Sequence, residues 1–272
     1  MIRRFFTLFT GSFFVITVVL NFVGMFFYPV IQFEQGQFLR GSVNNGIPGR
    51  HFTLRDTSLL YNAISTPKQE FDIEKSTALV FESLRSGDRK ILIYENWLLW
   101  GLGKAYAPMG RTQSPKRIVA GGVAICSEAA EVLNEVASIN GNASRFIGLQ
   151  GHVISEIKVN QKWLLADADY GIVFPFGYNE MLRLSEDEVA QIISSLLTNR
   201  GFKTKVVEFY KDVLLSIEDN TVQKIGEKQS PRLWLIEYFA NYFIWLISII
   251  SGLVCLFLLY SRGEKDKFCN KQ

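Results

Sequence analysis

A chain of 272 residues with a net charge of +3 and 48% hydrophobic residues is long enough for one or two domains, with its apolar residues concentrated at both ends. The small positive charge comes without a basic and aromatic stripe, which argues against a nucleic-acid partner. Only one of the three cysteines, Cys126, lies between the apolar ends, so a disulfide framework is excluded for the middle of the chain.

Residues 5–28, FFTLFTGSFFVITVVLNFVGMFFY, carry no charge. At about 1.5 Å per residue they span the roughly 30 Å hydrocarbon layer of a bilayer and are predicted to form a transmembrane helix. A cleaved signal peptide competes with this reading because Arg3 and Arg4 precede the stretch. No small-x-small site stands near its bulky end, GMFFYPV, so an uncleaved anchor over 1–33 is preferred.

Residues 36–50 are polar and read as a linker, and residues 68–86, rich in good helix formers, are predicted to form a helix that stops before Gly87. In GGVAICSEAAEVLNEVASI, 121–139, apolar or small residues at 126, 129, 130, 133, 136 and 137 line one helical face, and Asn140-Gly141 is a stop signal. Cys126 is therefore expected at a helix start, pointing inward. Residues 145–171 are β-branched and aromatic and read as two or three strands, with a hairpin turn at Asn160-Gln161. Ser185 and Glu188 form a capping box before a helix whose apolar face is Val189, Ile192, Ile193, Leu196 and Leu197 and which ends near Gly201. Residues 218–232 read as a second linker, and 238–260, YFANYFIWLISIISGLVCLFLLY, as a second span with aromatic rings near its start.

These readings divide the chain into an anchor at 1–33, a domain at 34–233, a transmembrane helix at 234–261 and a short tail at 262–272. Lys and Arg are in modest excess on the outer ends of the two spans. That places both termini in the cytoplasm and the domain on the far side of an inner or plasma membrane. Helices, then strands, then a helix suggest an α+β fold rather than a parallel sheet.

The nucleophilic form of a thiol is favoured at a helix N-terminus beside an imidazole. Of the two histidines, His152 lies in a predicted strand with aspartates on the next one. Opposed residues of an antiparallel hairpin have a constant sum: a two-residue turn at 160–161 makes it 321 and sets His152 opposite Asp169, whereas a turn one residue earlier gives 319 and Asp167. Either carboxylate would orient the imidazole and stabilise its charged form.

Residues 121–171 resemble the transglutaminase-like cysteine hydrolases, a papain-like superfamily whose Cys begins a helix and whose His and Asp follow on neighbouring strands. GGVAICSEAAEVLNEVASI is similar to the family's glycine-led Cys helix, GHVISEI to its Gly-His-x-x-x-Glu stretch, and KWLLADADYG to its Trp followed four residues later by the catalytic Asp. The resemblance implies a papain-like core, with the Cys helix packed on an antiparallel sheet carrying His and Asp. It implies Cys126 as nucleophile, His152 as base and Asp167 as the orienting acid, with Asp169 in reserve. Ile154 stands where the family commonly has an aromatic residue.

The implied activity is cleavage or transfer of peptide or protein amide acyl groups through a thioester, without a cofactor. The partners expected are a peptide or protein substrate and the lipid bilayer; no metal is expected, because one Cys and two His at these separations make no ligand cluster. The Cys126 backbone N–H is one oxyanion donor, and a second is left open among Trp97, Trp100 and Tyr106. His51, Glu156, Trp163 and Asp169 read as structural or supporting residues. A membrane scaffold that keeps the fold to bind peptide or cell-envelope material is the alternative.

Overall fold

A computed structural model describes the backbone at residues 2–39, 54–67, 71–217 and 220–269, and the side chains at 5–25, 58–67, 71–217 and 220–261. His51 and residues 40–50 of the first predicted linker lie outside the described residues. The chain divides into two units, one formed by residues 1–30, 90–112 and 232–272, the other by 31–89 and 113–231.

In chain order, α1 (Ile2–Leu39) is followed by α2 (Leu54–Ala63) and α3 (Ile73–Ser83). The helix expected over 68–86 is shorter at both described ends. Asp72 caps α3 by accepting the Lys75 N–H, and the chain becomes extended at Leu84. Residues 85–86 leave the helix because β1 (Arg85–Ser86) pairs in parallel with β2 (Val123–Ala124). α4 (Trp97–Ala105) and a 3₁₀ turn (Ala107–Gly110) belong to the first unit, and α5 (Pro115–Gly121) leads into α6 (Cys126–Ile139) in the second.

The main sheet has the order β6-β5-β4-β3-β7, built from β3 (Ser144–Leu149), β4 (His152–Val159), β5 (Lys162–Asp167), β6 (Ile172–Val173) and β7 (Thr221–Val222), with every pair antiparallel. The chain is thus a mixed helix-and-sheet protein. β4 and β5 turn at Asn160-Gln161, both at positive φ (50° and 67°), the conformation of a type I′ turn whose twist matches that of the strands it joins. Residues 218–232, expected as linker, contain the edge strand β7, where Val222 pairs with Ile147 and Thr221 with Gly148. Two residues are too few for a periodicity signal.

The sheet alternates its side chains between two apolar layers. On one face Ile157 and Ala166 join Val132, Leu133 and Val136 of α6 and residues of α2, α3 and α5. On the other, Ile154, Leu165 and Phe174 join the apolar stripes of α8 (Glu186–Asn199) and α9 (Thr204–Leu215), which follow the short α7 (Tyr178–Met181). Each of the larger of these side chains contributes about 1.5–3 kcal/mol on burial. α8 has the expected capping box, Ser185 Oγ with the Glu188 N–H and Glu188 Oε2 with the Ser185 N–H, and buries Val189, Ile193 and Leu197.

In the other unit α1 pairs with α10 (Pro231–Cys269). Phe5–Met25 and Pro231–Ser261 are long and apolar enough to cross a membrane. Asn21 Nδ2 donates to the Ile244 carbonyl at 2.9 Å and to Ser248 Oγ at 3.1 Å, and the Phe22 ring stands edge-on to Trp245. These contacts satisfy a polar side chain that would be costly if left unpaired in an apolar layer.

Candidate functional site

The start of α6 is set by its approach. Gly122 takes φ 64°, a left-handed conformation that closes α5 and turns the chain into β2. Gly121 leaves room for Arg89, whose side chain would meet a Cβ at 2.8 Å. Ile125 is extended, and its N–H donates to Glu128 Oε2 at 3.1 Å, so the first-turn carboxylate reaches back over the helix start. Cys126 is therefore the first residue of α6, and the helix is anchored below it by buried Ala129, Ala130 and Leu133. Cys126 is a free cysteine of intermediate burial.

His152 is the first residue of β4, at the end of the sheet, with a side chain only 10% exposed. Its Nε2 lies 2.6 Å from Asp167 Oδ2, and the Cys126 thiol is near enough to interact with the same ring. With Nε2 engaged, Nδ1 is the ring nitrogen left for sulfur. The rings of Tyr170 and Tyr210 meet His152 edge-on, at 5.6 and 5.9 Å. Burial works against the charged imidazolium, but the Asp167 charge and hydrogen bond, with Cys126 adding to them, hold the His152 pKa well above the ordinary value of 6.5.

Asp167, the last residue of β5, is almost fully buried and has every oxygen occupied. Oδ1 accepts the Asp169 N–H at 2.8 Å and the Tyr170 N–H at 3.2 Å; Oδ2 accepts Tyr210 Oη–H at 2.7 Å besides His152. The observed register pairs Ser155 with Ala166, a sum of 321. Extended outward, that register sets Asp169 against His152, yet the paired ladder stops at Ala166 and the chain bends through 168–171 into β6. The carboxylate that meets His152 is Asp167, on the same face and diagonal to it. Asp169 supplies its backbone N–H to Asp167.

Glu156 and Trp163 lie further along β4 and β5. Glu156 accepts the Arg145 Nε–H at 2.5 Å and the Tyr178 N–H at 2.6 Å, and the Arg145 guanidinium lies over the Trp163 ring. Gly177 passes so close that a Cβ would stand 2.7 Å from Glu156 Oε1. Ile154 is buried among the α8 and α9 side chains.

Trp97, one of the open oxyanion donors, gives its indole N–H to Asn21 Oδ1 at 2.9 Å, within the unit that holds the long helices. Trp100 and Tyr106 belong to that same unit. Among the described residues no three His, Cys, Asp or Glu side chains are grouped as metal ligands.

Tyr210 escaped the sequence reading. Val206, Val207, Tyr210, Val213 and Leu214 have the spacing of a helix face, so α9 was legible, but nothing local tells a core tyrosine from one that serves an aspartate. Burial, followed by the Asp167 charge and hydrogen bond, raises the Tyr210 pKa well above 10.0 and keeps the phenol a donor. The assembled groups, thiol, imidazole, carboxylate and phenol, can pass a proton from sulfur to imidazole while the carboxylate balances the charge formed. Comparison with protein-family models, with curated proteins and with solved structures finds no match.

Proposed function

We propose that the chain is a membrane-anchored, transglutaminase-like thiol enzyme acting on peptide or protein amide groups, with α6 on the antiparallel sheet as its papain-like core. One observation carries the reading: His152 Nε2 lies 2.6 Å from Asp167 Oδ2 while the Cys126 thiol, at the start of α6, interacts with the same imidazole, the order that nucleophilic thiol catalysis requires.

Cys126 sulfur attacks the amide carbonyl carbon as His152 takes the thiol proton, and the Cys126 N–H at the free end of α6 donates to the oxygen that becomes negative. The tetrahedral adduct collapses when the C–N bond breaks and His152 returns the proton to the departing amine, leaving a thioester on Cys126. Water then releases a carboxylic acid, or a second amine forms a new amide, and the thiol is restored. Asp167 keeps Nε2 of His152 engaged throughout and stabilises the imidazolium. The two spans hold this domain at the membrane, with both termini in the cytoplasm.

The test is alkylation of Cys126 by iodoacetamide in a full-length protein with Cys255 and Cys269 replaced by Ala. Cys126 is expected to react at least tenfold faster than a free cysteine at neutral pH, and His152→Ala to abolish the excess. Equal rates in the two proteins would leave the non-catalytic scaffold as the better reading.

A further inference from the structure

Residues 90–112 sit in the same unit as the two long helices, and their composition is unusual for a connecting segment. α4, WLLWGLGKA, has one charge in nine residues. The segment is a closed hairpin: the Ile91 N–H donates to the Gly110 carbonyl at 2.6 Å, and Gly103 lies so near Gly110 that a Cβ would stand 2.5 Å from the Gly110 Cα.

The hairpin is bound to both spans. Trp97 bonds Asn21 and stands edge-on to Phe13 at 6.0 Å, and Gly24 admits the Tyr94 carbonyl, which a Cβ would approach to 2.8 Å. From the other span, Asn241 Oδ1 accepts Asn96 Nδ2–H at 3.1 Å and Glu237 Oε1 accepts Thr112 Oγ1–H at 2.7 Å, while Ala240 packs with Ile91 and Leu99. The hairpin's partners Phe13, Asn21, Gly24, Glu237, Ala240 and Asn241 fall within the stretches long and apolar enough to cross a membrane. The hairpin's remaining face is open and apolar, with Ile93 40%, Trp100 36% and Tyr106 55% exposed. Lys104 lies 5.4 Å from the Trp100 ring centroid. The spans themselves expose aromatic rings, among them Phe22, Tyr238 and Tyr242.

At roughly 1.5 Å per residue a nine-residue helix is too short to cross a bilayer. Tryptophan and tyrosine with a lysine that reaches toward water are suited to the boundary between headgroups and acyl chains. Irregular backbone is tolerated at that depth where protein covers it, as Gly24 covers Tyr94. We infer that residues 90–112 form a monotopic membrane-interface element whose open face, carrying Ile93, Trp100 and Tyr106, is embedded in lipid at the headgroup boundary. The inference rests on the spans being in a bilayer and is independent of the thiol chemistry.

Nitroxide labels attached to single cysteines test it, in full-length protein lacking the native cysteines and reconstituted into phosphatidylcholine and phosphatidylglycerol vesicles. W100C and I93C sit on the open face; L253C, on the exposed side of a span, and V222C, on β7, are the references. Oxygen is expected to relax W100C and I93C several-fold more effectively than a water-soluble nickel chelate, as at L253C, with the order reversed at V222C. Water-like behaviour at both hairpin positions with L253C lipid-like overturns the interface element alone. Water-like behaviour at L253C overturns the membrane reading and this inference with it.

Discussion

At the scale of single residues, the feature that stands out is the full occupancy of Asp167. Its four hydrogen bonds come from two backbone N–H groups, a phenol and an imidazole, so the carboxylate has one position available to it. A hydrogen bond to a charged group contributes about 1.5–3 kcal/mol. Tyr210→Phe is expected to lower stability by about that amount while leaving the ring packing intact, as read from denaturant unfolding of the full chain in detergent. The pH dependence follows from His152. Its charged form is held more tightly folded than unfolded, so its contribution is complete below the ordinary 6.5 and is lost as pH rises through the raised value. Wild-type stability should therefore decline above about pH 6.5. Asp167→Asn, which removes the largest influence raising the value, should flatten that decline; unfolding midpoints from pH 5 to 9 read the difference.

At the scale of elements, the β4–β5 hairpin shows a local choice that is not optimal for stability. Type I′ turns favour Asn-Gly because both central residues need positive φ, and Gln161 adopts φ 67° with a side chain. Gln161→Gly removes a left-handed penalty of about 1–2 kcal/mol and adds back some unfolded-state entropy. A net stabilisation of about 0.5–1 kcal/mol is expected, with the register and the His152–Asp167 bond unchanged. A midpoint that falls would mean that Gln161 holds the turn through contacts of its own. The hairpin and α8 were readable in advance because turn residues, caps and apolar spacing are properties of neighbouring residues. β1, β2 and β7 were not, because strands of two residues are defined by their partners.

At the scale of the whole molecule, two long apolar helices account for the excess of hydrophobic residues at the chain ends. Their flanking Lys and Arg predict cytoplasmic termini. An alkaline phosphatase fused after Tyr260 should be inactive, and one placed in the exposed turn at Gly226 active; the opposite pattern would reverse the topology. The segment 90–112 lies between regions that belong to the other unit, so its association with the spans is a property of the fold that its own sequence only hints at.

Sequence alone determined the two apolar stretches, a helix beginning at Cys126, a turn at Asn160-Gln161 and a histidine followed by aspartates on the next strand. These rest on periodicity, charge and turn chemistry, which act over a few residues. The tertiary structure decided which aspartate meets His152, because the ladder ends at Ala166 and bends before Asp169 can face it. It also brought Tyr210, 43 residues further along, onto the same oxygen. Strand ends and long-range side-chain directions follow from how whole layers pack, and no local pattern encodes them.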